Sequence, residues 1–243
     1  MQKTDANPDT VKALFEAGAH FGYSKSKRHP TTAKYVYATK NNVDILDLEK
    51  VSGLAENAMT FIKTIASEGK QLLFVTGKKD VSSKLKDAAI KIDQPYVCGR
   101  WIGGTLTNFE QIQKRVNRLE DLRTQKEKGL LGKYTKKERL MIDREIDKLE
   151  ERFGGITNMK KRPAALFVID SKFEEVAVAE ANKNNIPIIS ICSSDCDISK
   201  VTHPIVANDS SIQSIMYFVN EALAAYEEGT KTAKSEVENK VVK

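Results

Sequence analysis

The stretch ALFVIDSKFEEVAVAEANKNNIPIISIC, residues 165–192, decides the fold. ALFVID (165–170) is apolar without alternation and of strand length, the pattern of a strand covered on both faces. SKFEEVAVAEANKNN then reads as a helix, and IPIISIC (186–192) is a second continuous apolar run. Strand, helix and strand in that order form the crossover unit of a parallel sheet. QLLFV (71–75) repeats the pattern upstream, with a helix over 80–91 and a short strand PYVC (95–98) after it. PIVA (204–207) and a helix from Ser210 or Ser211 to about Tyr226 repeat it downstream. The alternation predicts an α/β fold, a mainly parallel sheet with helices on both faces and binding loops at the carboxyl ends of its strands.

Working outward, the alternation is interrupted once. Residues 109–127 space Phe109, Ile112, Val116, Leu119 and Leu122 by three and four, and residues 135–153 space Ile142, Ile146, Leu149 and Phe153 likewise. GLLGKY (129–134) supplies a turn between them. Two such seams predict an inserted antiparallel helical hairpin with coiled-coil packing, each arm roughly 28 Å long at 1.5 Å per residue. The expected organisation is an α/β sheet domain over 1–107 and 156–228, the hairpin over 108–155, and a tail over 229–243. The tail alternates charge without an apolar face, which predicts disorder. Nearer the amino terminus, DTVKALFEA (9–17) and LEKVSGLAENAMTFIKTIASEG (48–69) read as helices and YVYA (35–38) as a strand.

The 243 residues carry 39 Lys+Arg against 33 Asp+Glu, a net charge of +6, and 40% are hydrophobic. This composition suits a globular chain and excludes collagenous, low-complexity and disulfide-framework classes. Cys98, Cys192 and Cys196 are too few for a staple pattern and suit a reducing cytosol. No apolar run approaches the ~20 residues of a membrane span, and the amino terminus lacks a signal-peptide core, so a cytoplasmic location without a membrane partner is expected. The charge is unevenly placed. Residues 110–162 hold 16 Lys+Arg against 10 Asp+Glu, a net +6, while the remainder holds 23 against 23. Residues 17–43 contain Lys25, Lys27, Arg28, Lys34 and Lys40 and no acidic residue.

Enzymatic motifs are missing. Gly77-Lys78-Lys79 follows a strand, yet Leu72 stands where a phosphate loop has its first glycine and Asp80 where it has its hydroxyl; G-x-G-x-x-G and G-x-S-x-G do not occur. Cys192, Cys196 and His203 lack a fourth soft ligand, and Asp195 and Asp197 suit thiolate sites poorly, so neither a metal nor a cofactor is expected. The basic residues say more. Lys25, Lys27, Arg28 and Lys34 lie among tyrosines that offer stacking faces, and Lys78 and Lys79 form a basic turn. Arg100 and Trp101, the latter ordinarily a packing residue, mark the junction of body and hairpin. Lys114, Arg115 and Arg118 represent a hairpin surface richer in cations than its own acids can pair. These are the candidate RNA contacts. A nucleotide-dependent enzyme on the same sheet and an adaptor whose hairpin docks proteins are the competing readings.

Several blocks carry a resemblance. LFEAGAHFGY (14–23), NNVDILDLEK (41–50), GRWIGGTLTNF (99–109), YTKKERLMIDREIDKLE (134–150), FGGITNMKKRPAALFVID (153–170), EANKNNIPIISICSSDCD (180–197) and IVANDSSIQSI (205–215) run in the order found in bacterial ribosomal small-subunit protein two, a universal 30S family that this chain resembles over about 10–228. The resemblance implies a Rossmann-like, flavodoxin-like parallel sheet with an inserted helical hairpin. It also implies a noncatalytic constituent of the small subunit that binds 16S ribosomal RNA between head and body, beside neighbouring ribosomal proteins. Helping to dock ribosomal protein one is implied where the organism has that partner. The chain departs from the family at Tyr23, often histidine there, and at Cys192-Ser-Ser-Asp-Cys196, which replaces D-T-N-x-D.

Overall fold

The computed structural model describes residues 8–241, with side chains through Ala233. Three strands, β4 (Leu72–Thr76), β6 (Ala165–Ile169) and β7 (Ile188–Cys192), are buried at every position, as their unbroken apolar runs require. With β5 (Tyr96–Cys98) and β8 (His203–Val206) they form a five-stranded parallel sheet in the order β5-β4-β6-β7-β8. Phe74 pairs with Phe167 across the β4–β6 register, their rings 5.3 Å apart at the centre of the core. The chain leaves β4 for β5 through α3 (Lys79–Lys91), and leaves β6 for β7 in the opposite direction through α6 (Glu175–Lys183). Right-handed crossovers running in opposite directions place α3 and α6 on opposite faces. The order reverses between β4 and β6, so the loops after those strands flank a crevice at the carboxyl edge of the sheet.

α2 (Leu48–Ser67) and α7 (Ile212–Val241) pack along one another, and α1 (Pro8–Glu16) rests on α2. The helix α7 runs on past residue 229, where the sequence reading places the start of a tail. Gly229 approaches α2 so closely that an added Cβ would lie 2.4 Å from the Lys63 carbonyl oxygen. Glu228 pairs with Lys63 at 2.7 Å, and Thr230 bonds back to the Tyr226 carbonyl. A contact made through the absence of a side chain leaves no hydrophobic periodicity to read. Residues 242–243 lie outside the described range.

Residues 17–43 are more structured than one strand. β1 (Phe21–Ser24), β2 (Val36–Lys40) and β3 (Val43–Leu46) form a small antiparallel sheet in the order β1-β3-β2. β2 turns into β3 through Asn41 and Asn42, both at positive φ (50° and 64°), the conformation of a tight hairpin turn. Ser194 is the main tie between this sheet, with the segment after β1, and the loop after β7, and the Ile198 amide adds a bond to the Thr31 hydroxyl at 3.3 Å. Ser194 accepts from the Tyr23 amide through Oγ (2.8 Å), and its carbonyl accepts from the His29 amide (2.8 Å) and the Thr32 hydroxyl (2.6 Å).

The insertion between β5 and β6 is two helices, α4 (Phe109–Glu127) and α5 (Lys136–Phe153). Gly129 at φ 67° ends the first, and a reciprocal capping box between Thr135 and Glu138 opens the second. Leu119, Leu122 and Ile146 form the arm's own cluster, whereas Trp101, Leu106, Ile112, Val116, Phe153, Ile156 and Met159 join the main core.

Gly229→Ala separates the two pictures of the carboxyl-terminal helix by sign. If the helix packs on Lys63 as described, chemical denaturation should show a loss of about 1–3 kcal/mol from overpacking, despite the roughly 1 kcal/mol that alanine gains in helix propensity. A neutral or stabilising change would restore the disordered tail.

Candidate functional site

The crevice where this fold receives ligands is filled by the chain's own ion pairs. After β4, Lys78 points its ammonium between Asp170 (2.8 Å), which follows β6, and Asp209 (3.4 Å), which follows β8, and donates to the Asp209 carbonyl at 2.6 Å. Burial works against the lysine's charge, but Asp209 and Asp170 outweigh it and hold its pKa above the ordinary value. Asp170 sits at φ 68°, and its second oxygen accepts the amides of Lys172 and Phe173, which fixes the turn into α6. Burial, with Asp170 adding like charge, pushes Asp209 up to about 6. Glu174 lines the same edge. Burial raises its carboxyl to about 7 although the Gly77 amide opposes, and its Oε1 has no hydrogen-bond partner.

Ligand atoms of Asp170, Cys196 and Asp209 lie within 4.8 Å of one another. Lys78 already supplies the positive charge between the two carboxylates, so a metal ion there would have to displace it. The contact with Cys192 and burial keep the Cys196 thiol protonated. His203 is elsewhere. It opens β8, three residues from the partner of Cys192 and so roughly 10 Å along the strand, and stacks on Phe61.

The second constellation lies at the root of the hairpin. Glu180, on the buried face of α6, turns its carboxylate into the loop over 101–107. Oε1 accepts from the Trp101 indole (3.2 Å) and the Gly104 amide (2.7 Å). Oε2 accepts from the Leu106 amide (3.0 Å), the Thr107 amide (3.1 Å) and the Thr107 hydroxyl (3.2 Å). Burial raises the pKa of this carboxyl, but the backbone and indole donors more than offset that, so it stays below the usual carboxylate range. At the other end of the arm, Gly155 lies against β5, where a Cβ would stand 2.2 Å from the Tyr96 carbonyl oxygen.

The candidate RNA contacts separate into two groups. Three of them are engaged in contacts within the fold. Arg28 forms a bidentate pair with the buried Asp44, its Nε 2.6 Å from Oδ2, and reaches Thr39 at 2.7 Å, so its charge is consumed in holding the small sheet together. Lys78 is committed to the crevice. Trp101 is 8% exposed and bound to Glu180, so its ring packs under the hairpin instead of offering a stacking face. The others lie on the surface. Lys25, Lys27, Lys34, Lys79, Arg100, Lys114, Arg115 and Arg118 are exposed. Lys27 stands 5.7 Å from the Tyr23 ring and Lys34 5.0 Å from the Tyr35 ring. Arg118 pairs across the hairpin with Glu145 at 3.3 Å, as Arg123 does with Glu150 and Lys126 with Asp143; such exposed pairs leave the charge accessible. Sequence reasoning passed over Glu180, Asp44 and Ser194. Glu180 carried a readable signal, a carboxylate on the same face as Ala177, Val178 and Ala181, directly before a buried strand.

A Rossmann-like body with its ligand crevice closed by internal ion pairs, bearing basic surfaces and a helical arm, belongs to the class of binding scaffolds and not to the nucleotide enzymes of the same fold. Residues 14–229 match the family described as ribosomal protein S2, and the chain belongs to that family, whose members are structural, non-enzymatic proteins of the small ribosomal subunit. Relatives named small ribosomal subunit protein uS2 share 42% identity over 220 residues in Sulfurimonas denitrificans, covering 90% of this chain and 85% of the relative. In Wolinella succinogenes the identity is 40% over 227 residues, covering 93% and 84%, and in Helicobacter hepaticus it is 39% over 227 residues, covering 93% and 86%.

Two carboxylates should respond oppositely to substitution. Glu180→Ala leaves three backbone amides and an indole without their acceptor, and should cost about 2–4 kcal/mol in denaturant unfolding, with faster hydrogen exchange at residues 104–107. Glu180 contributes stability above the unfolded carboxylate pKa, which is lost as pH falls through its lowered folded value. Glu174, whose folded pKa of about 7 exceeds the ordinary 4.5, binds a proton on folding, so its contribution declines as pH rises from about 4.5 to 7. Glu174→Gln should therefore be more stable than wild type by about 1–3 kcal/mol at pH 8, with the gain vanishing near pH 4.5. Equal stabilities at pH 8 would show that Glu174 ionises freely.

Proposed function

We propose that the chain binds 16S ribosomal RNA at the junction of head and body of the small subunit, in the cytoplasm, and supports translation there beside neighbouring ribosomal proteins. The observation that carries this reading is the split among the basic residues. Arg28 and Lys78 are neutralised inside the fold, while among the described residues Lys114 and Arg115 on the hairpin and Lys27 and Lys79 on the body face solvent outside any ion pair, and Lys25 is exposed near the Asp44 carboxylate that Arg28 already holds. Unpaired surface cations gain affinity by releasing counterions from phosphates, without requiring base recognition. Two separated basic regions on a rigid frame can bridge distinct RNA helices. Docking of ribosomal protein one is part of the same proposal and falls to the surfaces that the RNA leaves uncovered.

Filter binding of the full chain to 16S rRNA over a series of salt concentrations tests this. The affinity should fall steeply with salt. Lys114→Ala with Arg115→Ala should weaken binding and lower the logarithmic salt slope by about 2, close to one per phosphate contact, with unchanged thermal stability. A slope equal to wild type would remove the hairpin from the interface, and salt-independent binding would refute the electrostatic reading altogether.

A further inference from the structure

At the root of the hairpin, the carboxyl end of β5 and the last turn of α5 enclose a cleft of about 510 Å³, lined by Arg100 on one side and Arg152 on the other. It adjoins a second hollow of about 260 Å³ that brings in Lys86 from α3. Among the described residues, none of these three cations makes an ion pair or a side-chain hydrogen bond; Lys86 lies 6.0 Å from the Tyr96 ring. Two carboxylates stand at the rim, Glu151 and Glu150, the second shared with Arg123, so the three cations of the cleft outnumber the acids that face them. The floor is backbone. Gly99, at φ 147°, has no atom within 4 Å of the position its Cβ would take, so a ligand can approach the main chain there.

The walls are fixed from both ends. Glu180 clamps the loop that carries Arg100 into α4, and the contact of Gly155 with the Tyr96 carbonyl sets the exit of α5 just after Arg152. Two arginines held on rigid elements across one opening suit an anion with several oxygens, because each guanidinium presents a planar fork to phosphate. We propose that this cleft is a phosphate-binding site that grips the RNA backbone where the hairpin leaves the body, with Arg100 and Arg152 as the two jaws and Lys86 beside them. The proposal rests on the RNA-binding reading and adds the site through which the body and the arm act together.

Trp101, the only tryptophan, lines the cleft and reports on it. Its fluorescence should change saturably when a short RNA hairpin is added to the full chain at low salt. Arg100→Ala with Arg152→Ala should weaken that response at least tenfold and reduce 16S rRNA affinity, with unchanged thermal unfolding. Single Arg→Lys variants should restore part of the loss as charge without the fork. An unmoved Trp101 signal, with 16S rRNA bound as tightly by the double variant as by wild type, would overturn the site and leave the RNA reading standing. A response to inorganic tripolyphosphate in a chain that fails to bind 16S rRNA would support the anion site while sinking the RNA reading. Saturation by polyglutamate and not by RNA would overturn the assignment in favour of an acidic protein.

Discussion

A single buried carboxylate holds the two parts of this protein together. Glu180 is largely buried on α6 and accepts five hydrogen bonds from Trp101, Gly104, Leu106 and Thr107. A buried charge is tolerable only when its lone pairs are filled, and backbone amides in a turning loop fill them at fixed positions. Those amides belong to the segment that becomes α4. The direction in which the hairpin leaves the sheet is therefore set by a helix from a different part of the chain. With Gly155 against Tyr96 at the return, both strands of the connection are pinned, and the arm is an extension of the core.

The same economy explains the silent crevice. Doubly wound sheets gather loop ends and helix amino termini at the point where strand order reverses, and most use that place for phosphate. Here Lys78, Asp170 and Asp209 join three strand ends through internal charge, so the crevice serves cohesion. What would be an active site in an enzyme becomes a knot, and the unspent lysines and arginines lie on the outer surface. The small antiparallel sheet is tied on by similar means, with Ser194 supplying acceptors to three of its groups and Arg28 spent on Asp44.

The parallel sheet was legible because three of its strands are buried on both faces and carry unbroken apolar runs, and the hairpin helices because Ile112, Val116, Leu119 and Leu122 keep helical spacing. β1 and β3 were not legible. They are four residues long, with Asp44 and Leu46 of β3 as their only fully buried positions, and they are held by Ser194 and Asp44, whose partners lie far along the chain or in an irregular turn. The last turns of α7 escaped for a related reason, since Gly229 packs by lacking a side chain. For the basic surface the sequence named the right residue types. It could not separate Arg28 and Lys78, whose acids come from other segments, from Arg100 or Lys114, which form no ion pair among the described residues. That distinction is three-dimensional, and so is the pairing of Arg100 with Arg152 across the hairpin root.

The fold thus spends Lys78 and Arg28 on internal ion pairs and leaves the other basic residues singled out in the sequence on its surface. The most direct measurement is sedimentation of a lysate of cells expressing the full chain through a sucrose gradient in low salt with magnesium. The protein should travel with the small subunit and be released as salt is raised. A chain that stays at the top of the gradient under those conditions, folded but free of subunits, would contradict the scaffold reading.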